Sequence, residues 1–137
     1  MAALASGKHV LLEKPMALDL AESRAIAGTD DPGAAAREFQ RLGARRVVIK
    51  LGARGVLCVD ETGVESLVPA IKVDHVVDAT GAGDCWSAGF IAALSRGRSF
   101  HGAARIGNAV ASLSVQAAGA TKGLEDPALL ARVWDRP

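Results

Sequence analysis

The chain has 137 residues, enough for one ordinary domain that buries about two-thirds of the surface its unfolded form exposes. Half of the residues are hydrophobic and 23% are charged, which excludes a disordered chain. The net charge of +1 gives no field that favours nucleic acid, an acidic membrane or a polyanion, and with 4% aromatics and no tyrosine the core has to come from close helix packing and aliphatic strands.

In chain order, the first clear periodic element follows Asp31-Pro32, an N-cap with proline at the first helical position. Ala35, Phe39 and Leu42 then share one face, and Gly43 closes the helix. Residues 46–50 are a β-branched run that reads as a buried strand, 51–55 a turn, 56–59 a second strand and 60–63 another turn. Residues 71–77 read as a strand with partial alternation. Gly81-Ala82-Gly83 opens a helix over about 84–95 with Trp86, Phe90, Ile91 and Leu94 available for burial. A small-residue helix over roughly 100–118 contributes Ile106, Val110 and Leu113, and Asp126-Pro127 starts a short final helix by the same capping logic. This mixture predicts an α/β fold with helices layered on a sheet.

Cys58 and Cys85 form neither a disulfide framework nor a metal-ligand spacing, which fits a reducing compartment. The longest uncharged stretches, such as 107–121, fall short of the roughly 18–20 apolar residues of a membrane span, and Lys8, Glu13 and Lys14 interrupt the N-terminal apolar segment, which does not suit a secretory signal. A cytoplasmic protein with no membrane and no nucleic-acid partner is the expectation. His9, His75 and His101 have no partner at ligand spacing and read as structural or solvated, as do Arg45, Arg46 and Arg54; Trp86 reads as core.

The chemistry concentrates in residues 76–90, Val-Val-Asp-Ala-Thr-Gly-Ala-Gly-Asp-Cys-Trp-Ser-Ala-Gly-Phe. A strand end, a glycine turn and a helix N-terminus place free amides and the positive end of a helix dipole around Ala82 to Asp84, an arrangement suited to an anion. Gly81 and Gly83 let a phosphate approach the backbone closely. Asp84 beside that site is placed to take the proton of an attacking hydroxyl while the amides stabilise charge on a transferred phosphoryl group. The same residues equally fit a plain glycine turn in which Asp84 complements the helix dipole. Trp86 stands where a dinucleotide fingerprint needs its third glycine, and no Walker A sequence occurs, so neither of those routes to phosphate binding applies.

Asp78-Ala-Thr-Gly-Ala-Gly-Asp84 with Ser87-Ala-Gly-Phe90 resembles the C-terminal signature of the PfkB, or ribokinase-like, carbohydrate kinases. Val47-Val-Ile-Lys-Leu-Gly-Ala-Arg-Gly-Val56 resembles that family's nucleotide-side strand and turn, and Asn108-Ala-Val-Ala-Ser-Leu through Gly119-Ala120 resembles its adenine-side helix and loop. Ala79 departs from the usual Thr, Ser or Pro. The resemblance implies a three-layer ribokinase-like α/β fold, its C-terminal portion, with a mainly parallel sheet and helices on both faces. It also implies Asp84 as catalytic base, Gly81, Ala82 and Gly83 as anion hole, Lys50, Gly52 and Gly55 beside the nucleotide, and Asn108 near the adenine pocket. Asp78 and Thr80 would hold a monovalent cation such as K⁺.

Ser6-Gly-Lys-His-Val-Leu-Leu-Glu-Lys-Pro-Met-Ala-Leu18 instead resembles a segment of the Gfo/Idh/MocA oxidoreductases, in which the lysine matching Lys14 lies near the nicotinamide, although no dinucleotide-binding unit precedes it here. Residues 1–22 are therefore expected to be an oxidoreductase-like N-terminal piece, and 23–137 the nucleotide-binding region of a kinase. Asp19-Leu-Ala-Glu22 stands where the kinases carry an Asn-x-x-Glu motif, so Glu22, with Asp19, is a candidate for Mg²⁺; the alternative is that both belong to the oxidoreductase-like piece.

The function implied is ATP-dependent transfer of a phosphoryl group to a sugar hydroxyl, with ATP and Mg²⁺ as cofactors. Because such kinases are about twice this length, the chain reads as truncated or fused, lacking the sugar-binding half. The competing readings are an inactive nucleotide-binding remnant and an NAD(P)-dependent sugar oxidoreductase fragment. A lost sheet neighbour would leave an exposed edge and favour a homo-oligomer.

Overall fold

The computed structural model describes residues 28–134. Helix α1, Pro32–Arg41, starts where the cap signal places it: the Asp31 carboxylate accepts from the Ala34 amide at 2.7 Å, and proline occupies the first turn, where a missing N–H costs nothing. Three strands follow, β1 Val47–Lys50, β2 Val56–Val59 and β3 Glu65–Val68, in the sheet order β1-β2-β3. The connections, residues 51–55 and 60–64, are far shorter than the dozen or so residues a parallel crossover requires, so the sheet is an antiparallel meander. The described strands thus differ from the mainly parallel sheet expected. Sequence reading also passed over β3, whose burial is broken: only Val68 is fully buried, while Leu67 is 57% exposed.

The chain divides into two compact units. In the first, comprising residues 28–49 and Leu57–Ser66, Ala36, Phe39, Val47 and Val59 form the core, with Leu42, Ala44, Ile49 and Leu57 packed against them. The 60–64 turn closes on Asp60, whose carboxylate accepts from the amides of Thr62 at 2.8 Å and Val64 at 3.1 Å. Gln40 secures that turn to α1 by donating to the Asp60 carbonyl at 2.6 Å. Cys58 is buried, and burial pushes its thiol up to about 11, which removes it from thiolate chemistry near neutral pH.

The second unit comprises Lys50–Val56 and residues 67–134. It contains α2 Ala82–Ser95, α3 Phe100–Ser114 and α4 Pro127–Trp134. Its core is built from Cys85, Ala93, Ala103, Ile106, Ala109, Val110 and Val133, with Phe90, Leu113, Leu130 and Trp134 among the flanking side chains. The scarcity of large aromatics is met by backbone proximity. A Cβ on Gly107 would lie 2.7 Å from the Trp86 ring, and one on Gly89 would lie 2.7 Å from Val110 Cγ2, so α2 and α3 meet through two glycines. Trp86 stacks on Phe90 with centroids 4.8 Å apart, and Phe90 meets Phe100 edge-on at 5.8 Å.

Three expectations change in this unit. Residues 71–77 form no strand: Val76 and Val77 are 63% and 59% exposed, and no described strand pairs with them, leaving only the Val77 and Asp78 amides bonded to the Val115 carbonyl. Helix α3 ends at Ser114 rather than near residue 118. Ile91 and Leu94, expected inside, face outward, because the glycine contacts turn the Trp86 and Gly89 side of α2 onto α3. Among the described residues no helix is long and apolar enough to cross a membrane.

Because Gly107 is in van der Waals contact with an indole that has no room to retreat, Gly107→Ala should lower unfolding free energy by about 1–3 kcal/mol in a denaturant titration. An unchanged or raised stability would show that the α2–α3 contact is not tight, since alanine is otherwise the better helix former.

Candidate functional site

The site grows from the start of α2. Gly81 caps the helix at φ +71°, a left-handed conformation that side chains disfavour, and a Cβ there would also lie 2.6 Å from the Ala120 methyl. With the chain turned this way, Ala82 N–H donates to the Ala79 carbonyl at 3.2 Å and Cys85 N–H to the Gly81 carbonyl at 2.9 Å. Among the described residues the amides of Gly83 and Asp84 have no partner. Of the expected anion hole of Gly81, Ala82 and Gly83, the Ala82 N–H is engaged in the turn, while the Gly81 and Gly83 amides, and beyond them that of Asp84, have no partner among the described residues. Unpaired amides at the positive end of a 14-residue helix suit an anion. Asp84 lies exposed in this first turn, and its carboxylate has no hydrogen-bond or ion-pair partner among the described residues, so its acceptor capacity is uncommitted.

The turn is held from behind by residues 115–120. The Asp78 carboxylate accepts from the Thr80 amide at 2.8 Å and from the Gly119 amide at 2.9 Å; the Thr80 side chain first, then these two amides, keep its carboxyl below the usual aspartate range. Cys85 Sγ donates to the Ala120 carbonyl at 3.2 Å. An Asp-x-Thr turn is legible in sequence; its link to Gly119, 41 residues away, is not. The main-chain carbonyls of Asp78 and Thr80 accept no backbone hydrogen bond among the described residues, which leaves two hard oxygen donors side by side.

The nucleotide-side residues belong to the same unit. Gly52 and Gly55 take φ of +61° and +99°, and a side chain at Gly55 would collide with the backbone of Val68, Pro69 and Ala70. Lys50 ends β1, and its ammonium donates to the Gly83 carbonyl at 3.2 Å and the Ser87 hydroxyl at 3.1 Å. Asn108 is buried, and its amide is committed internally. Oδ1 accepts from Trp86 Nε1 at 2.7 Å, while Nδ2 donates to the carbonyls of Val68 at 3.1 Å and Pro69 at 2.7 Å. It stands behind the nucleotide-side turn as a brace rather than offering a free amide to a ligand.

Lys14, Asp19 and Glu22 lie outside the described residues. Among the described residues no group of three His, Cys, Asp or Glu side chains is arranged to hold a metal ion. Asp84 is the described carboxylate at the turn that has no partner, and a lone carboxylate suits a magnesium ion carried mainly by phosphates and waters rather than one caged by protein.

Residues 14–127 match the family described as pfkB family carbohydrate kinase, a span that takes in Lys14, Asp19 and Glu22. The 2-dehydro-3-deoxygluconokinase of Bacillus subtilis is 37% identical over 105 residues, covering 77% of this chain and 32% of the relative. A Thermotoga maritima ribokinase structure superposes with a TM-score of 0.73 at 32% identity, and an Arabidopsis thaliana ribokinase complexed with ribose and ATP with 0.72 at 28%; each alignment covers 85% of this chain and 39% of that structure. The chain spans about a third of the length of the curated relatives it matches. These similarities do not favour an oxidoreductase or a bare remnant.

Removing the Asn108 amide strands the Trp86 N–H and the Val68 carbonyl in the interior. Asn108→Ala should destabilise the chain by about 2–4 kcal/mol, read by thermal or denaturant unfolding, and a neutral result would mean water replaces the amide. Asp78→Ala should raise hydrogen exchange at the Gly119 amide by at least about tenfold while exchange within α3 stays unchanged; an unaltered Gly119 would show that the loop is held by its other contacts alone.

Proposed function

Because the chain belongs to the pfkB family of carbohydrate kinases, we propose that it supplies the nucleotide and phosphate side of an enzyme that transfers the γ-phosphoryl group of ATP to a hydroxyl of a sugar or sugar-like alcohol. The observation that carries this reading is the start of α2, where two unpaired amides and an unpartnered carboxylate share one helical turn.

Phosphoryl transfer asks little covalent chemistry of the protein; it asks for positioning and charge stabilisation. Asp84 accepts the proton of the attacking hydroxyl, which raises the nucleophilicity of the oxygen as the new P–O bond forms. The Gly83 and Asp84 N–H groups, with the helix dipole behind them, stabilise the negative charge on the transferred group, and being fixed in the fold they do so without reorganisation. The turn over Gly52 and Gly55, backed by residues 68–70, lies along the nucleotide, and Asn108 supports it from within. When bound, Mg²⁺ neutralises charge on the phosphates; Glu22, with Asp19, is the proposed protein side of its environment. The free carbonyls of Asp78 and Thr80 suit K⁺, which would stiffen the peptide leading into Gly81.

The ribokinase-like architecture of the complete fold, three layers with a mainly parallel sheet, belongs to the same proposal. So do a kinase region that takes in residues 23–137 and, with the family match, reaches back to residue 14, a cytoplasmic location without nucleic-acid or membrane partners, and a homo-oligomer formed through an exposed sheet edge.

Calorimetric titration with MgATP, with NADH as control, should show saturable binding of the first only; a folded chain that binds no MgATP would overturn the nucleotide role. In a transfer assay over a sugar panel, Asp84→Asn should lower the rate by about 10²–10⁴-fold with nucleotide affinity little changed. Equal rates would remove Asp84 from the chemistry.

A further inference from the structure

We infer that Lys50 is a positioning residue for the α2 N-terminus, acting through the Gly83–Asp84 peptide rather than as a ligand of the nucleotide. Gly83 follows Gly81 and Ala82 as the second residue of α2, so its carbonyl enters the helix ladder at the frayed first turn and has no side chain of its own to steady it there. That orientation matters because the Gly83 carbonyl and the Asp84 amide belong to one planar unit and point in opposite directions. Whatever fixes the carbonyl fixes the N–H that faces the anion. Two side chains do so here: the Lys50 ammonium donates to Gly83 O at 3.2 Å, and the Ser87 hydroxyl donates to the same oxygen at 3.0 Å while accepting from Lys50 at 3.1 Å. In this three-membered clamp Ser87 is buried and Lys50 half-buried, so the Lys50–Ser87 bond is partly screened from water while the Lys50–Gly83 bond lies at the exposed edge. A cation on the carbonyl also polarises the peptide and makes its N–H a stronger donor, in the sense required to stabilise a developing phosphoryl charge. Two of the three ammonium donors are thereby occupied by protein oxygens.

The clamp can be read without any turnover. In the full chain, the NMR order parameter of the Asp84 amide should be near 0.85 in the wild type and drop below about 0.6 in Lys50→Met, with Lys50→Arg restoring most of it and melting temperature little changed. Ser87→Ala, which leaves the lysine bond in place, should give an intermediate value and decides the matter if Lys50→Met fails to fold. A rigid Asp84 amide in folded Lys50→Met, or in Ser87→Ala should Lys50→Met not fold, overturns the inference. The rate arm rests on the phosphotransferase reading above. Lys50→Met should lower kcat by about tenfold while ATP affinity changes by less than about threefold, and a loss of ATP affinity with kcat retained would make Lys50 a direct nucleotide ligand. If the wild type neither binds nor transfers, that reading fails while the order parameters still decide the clamp.

Discussion

The buried amide of Asn108 is the interaction on which the second unit depends. It meets three polar groups at once: the Trp86 N–H in α2, and the carbonyls of Val68 and Pro69 at the end of β3. The Trp86 N–H and the Val68 carbonyl would otherwise be stranded in the interior, where an unmet hydrogen bond costs more than a met one contributes. One side chain on α3 therefore sets both the rotation of α2 and the path of the 68–70 segment. The turn at Gly55 packs against that same segment, so the 51–55 turn and α2 inherit their placement from a common brace.

Around this brace the packing is carried by the absence of side chains. Gly107 admits the Trp86 ring and Gly89 admits Val110, so α2 and α3 come close enough for an alanine-rich interface to be dense. An interface of this kind tolerates little: an added methyl meets an indole or an isopropyl group with nowhere to go. The same rigidity serves the start of α2, because amides that stabilise charge are effective only if they need not move to do so. Asp78, Cys85 and Ala120 extend it outward by tying the 115–120 loop to the turn, and the lysine clamp fixes the one peptide that its glycines leave loose.

Much of the local structure was legible. Asp31-Pro32 and Asp126-Pro127 each mark a helix start, because capping is a contact between a residue and the backbone two or three positions on. The strand at 56–59 was legible from its apolar run between glycine turns. Glu65–Val68 was missed because its burial is uneven, and 71–77 was over-read because β-branched residues favour a strand only where another strand is present to pair with them. The orientation of Ile91 and Leu94 could not be read from helical spacing, since α2 is apolar on several faces and its neighbour chooses among them.

At the site, the sequence by itself determined the chemistry on offer: a glycine turn, a helix N-terminus and a carboxylate in its first turn, all within residues 81–84, where local spacing decides what the backbone presents. A local turn bond, from the Ala82 N–H to the Ala79 carbonyl, decided which of these amides is engaged; only the tertiary structure decided what stands behind them. It also decided that Asn108 supports the site from within and that Lys50 reaches the Gly83 carbonyl. The reason is sequence separation. Contacts across a few residues follow from the local dihedral angles and capping groups, whereas Lys50 and Gly83 lie 33 positions apart, and Asp78 and Gly119 lie 41 apart, so they meet only once the helices have packed.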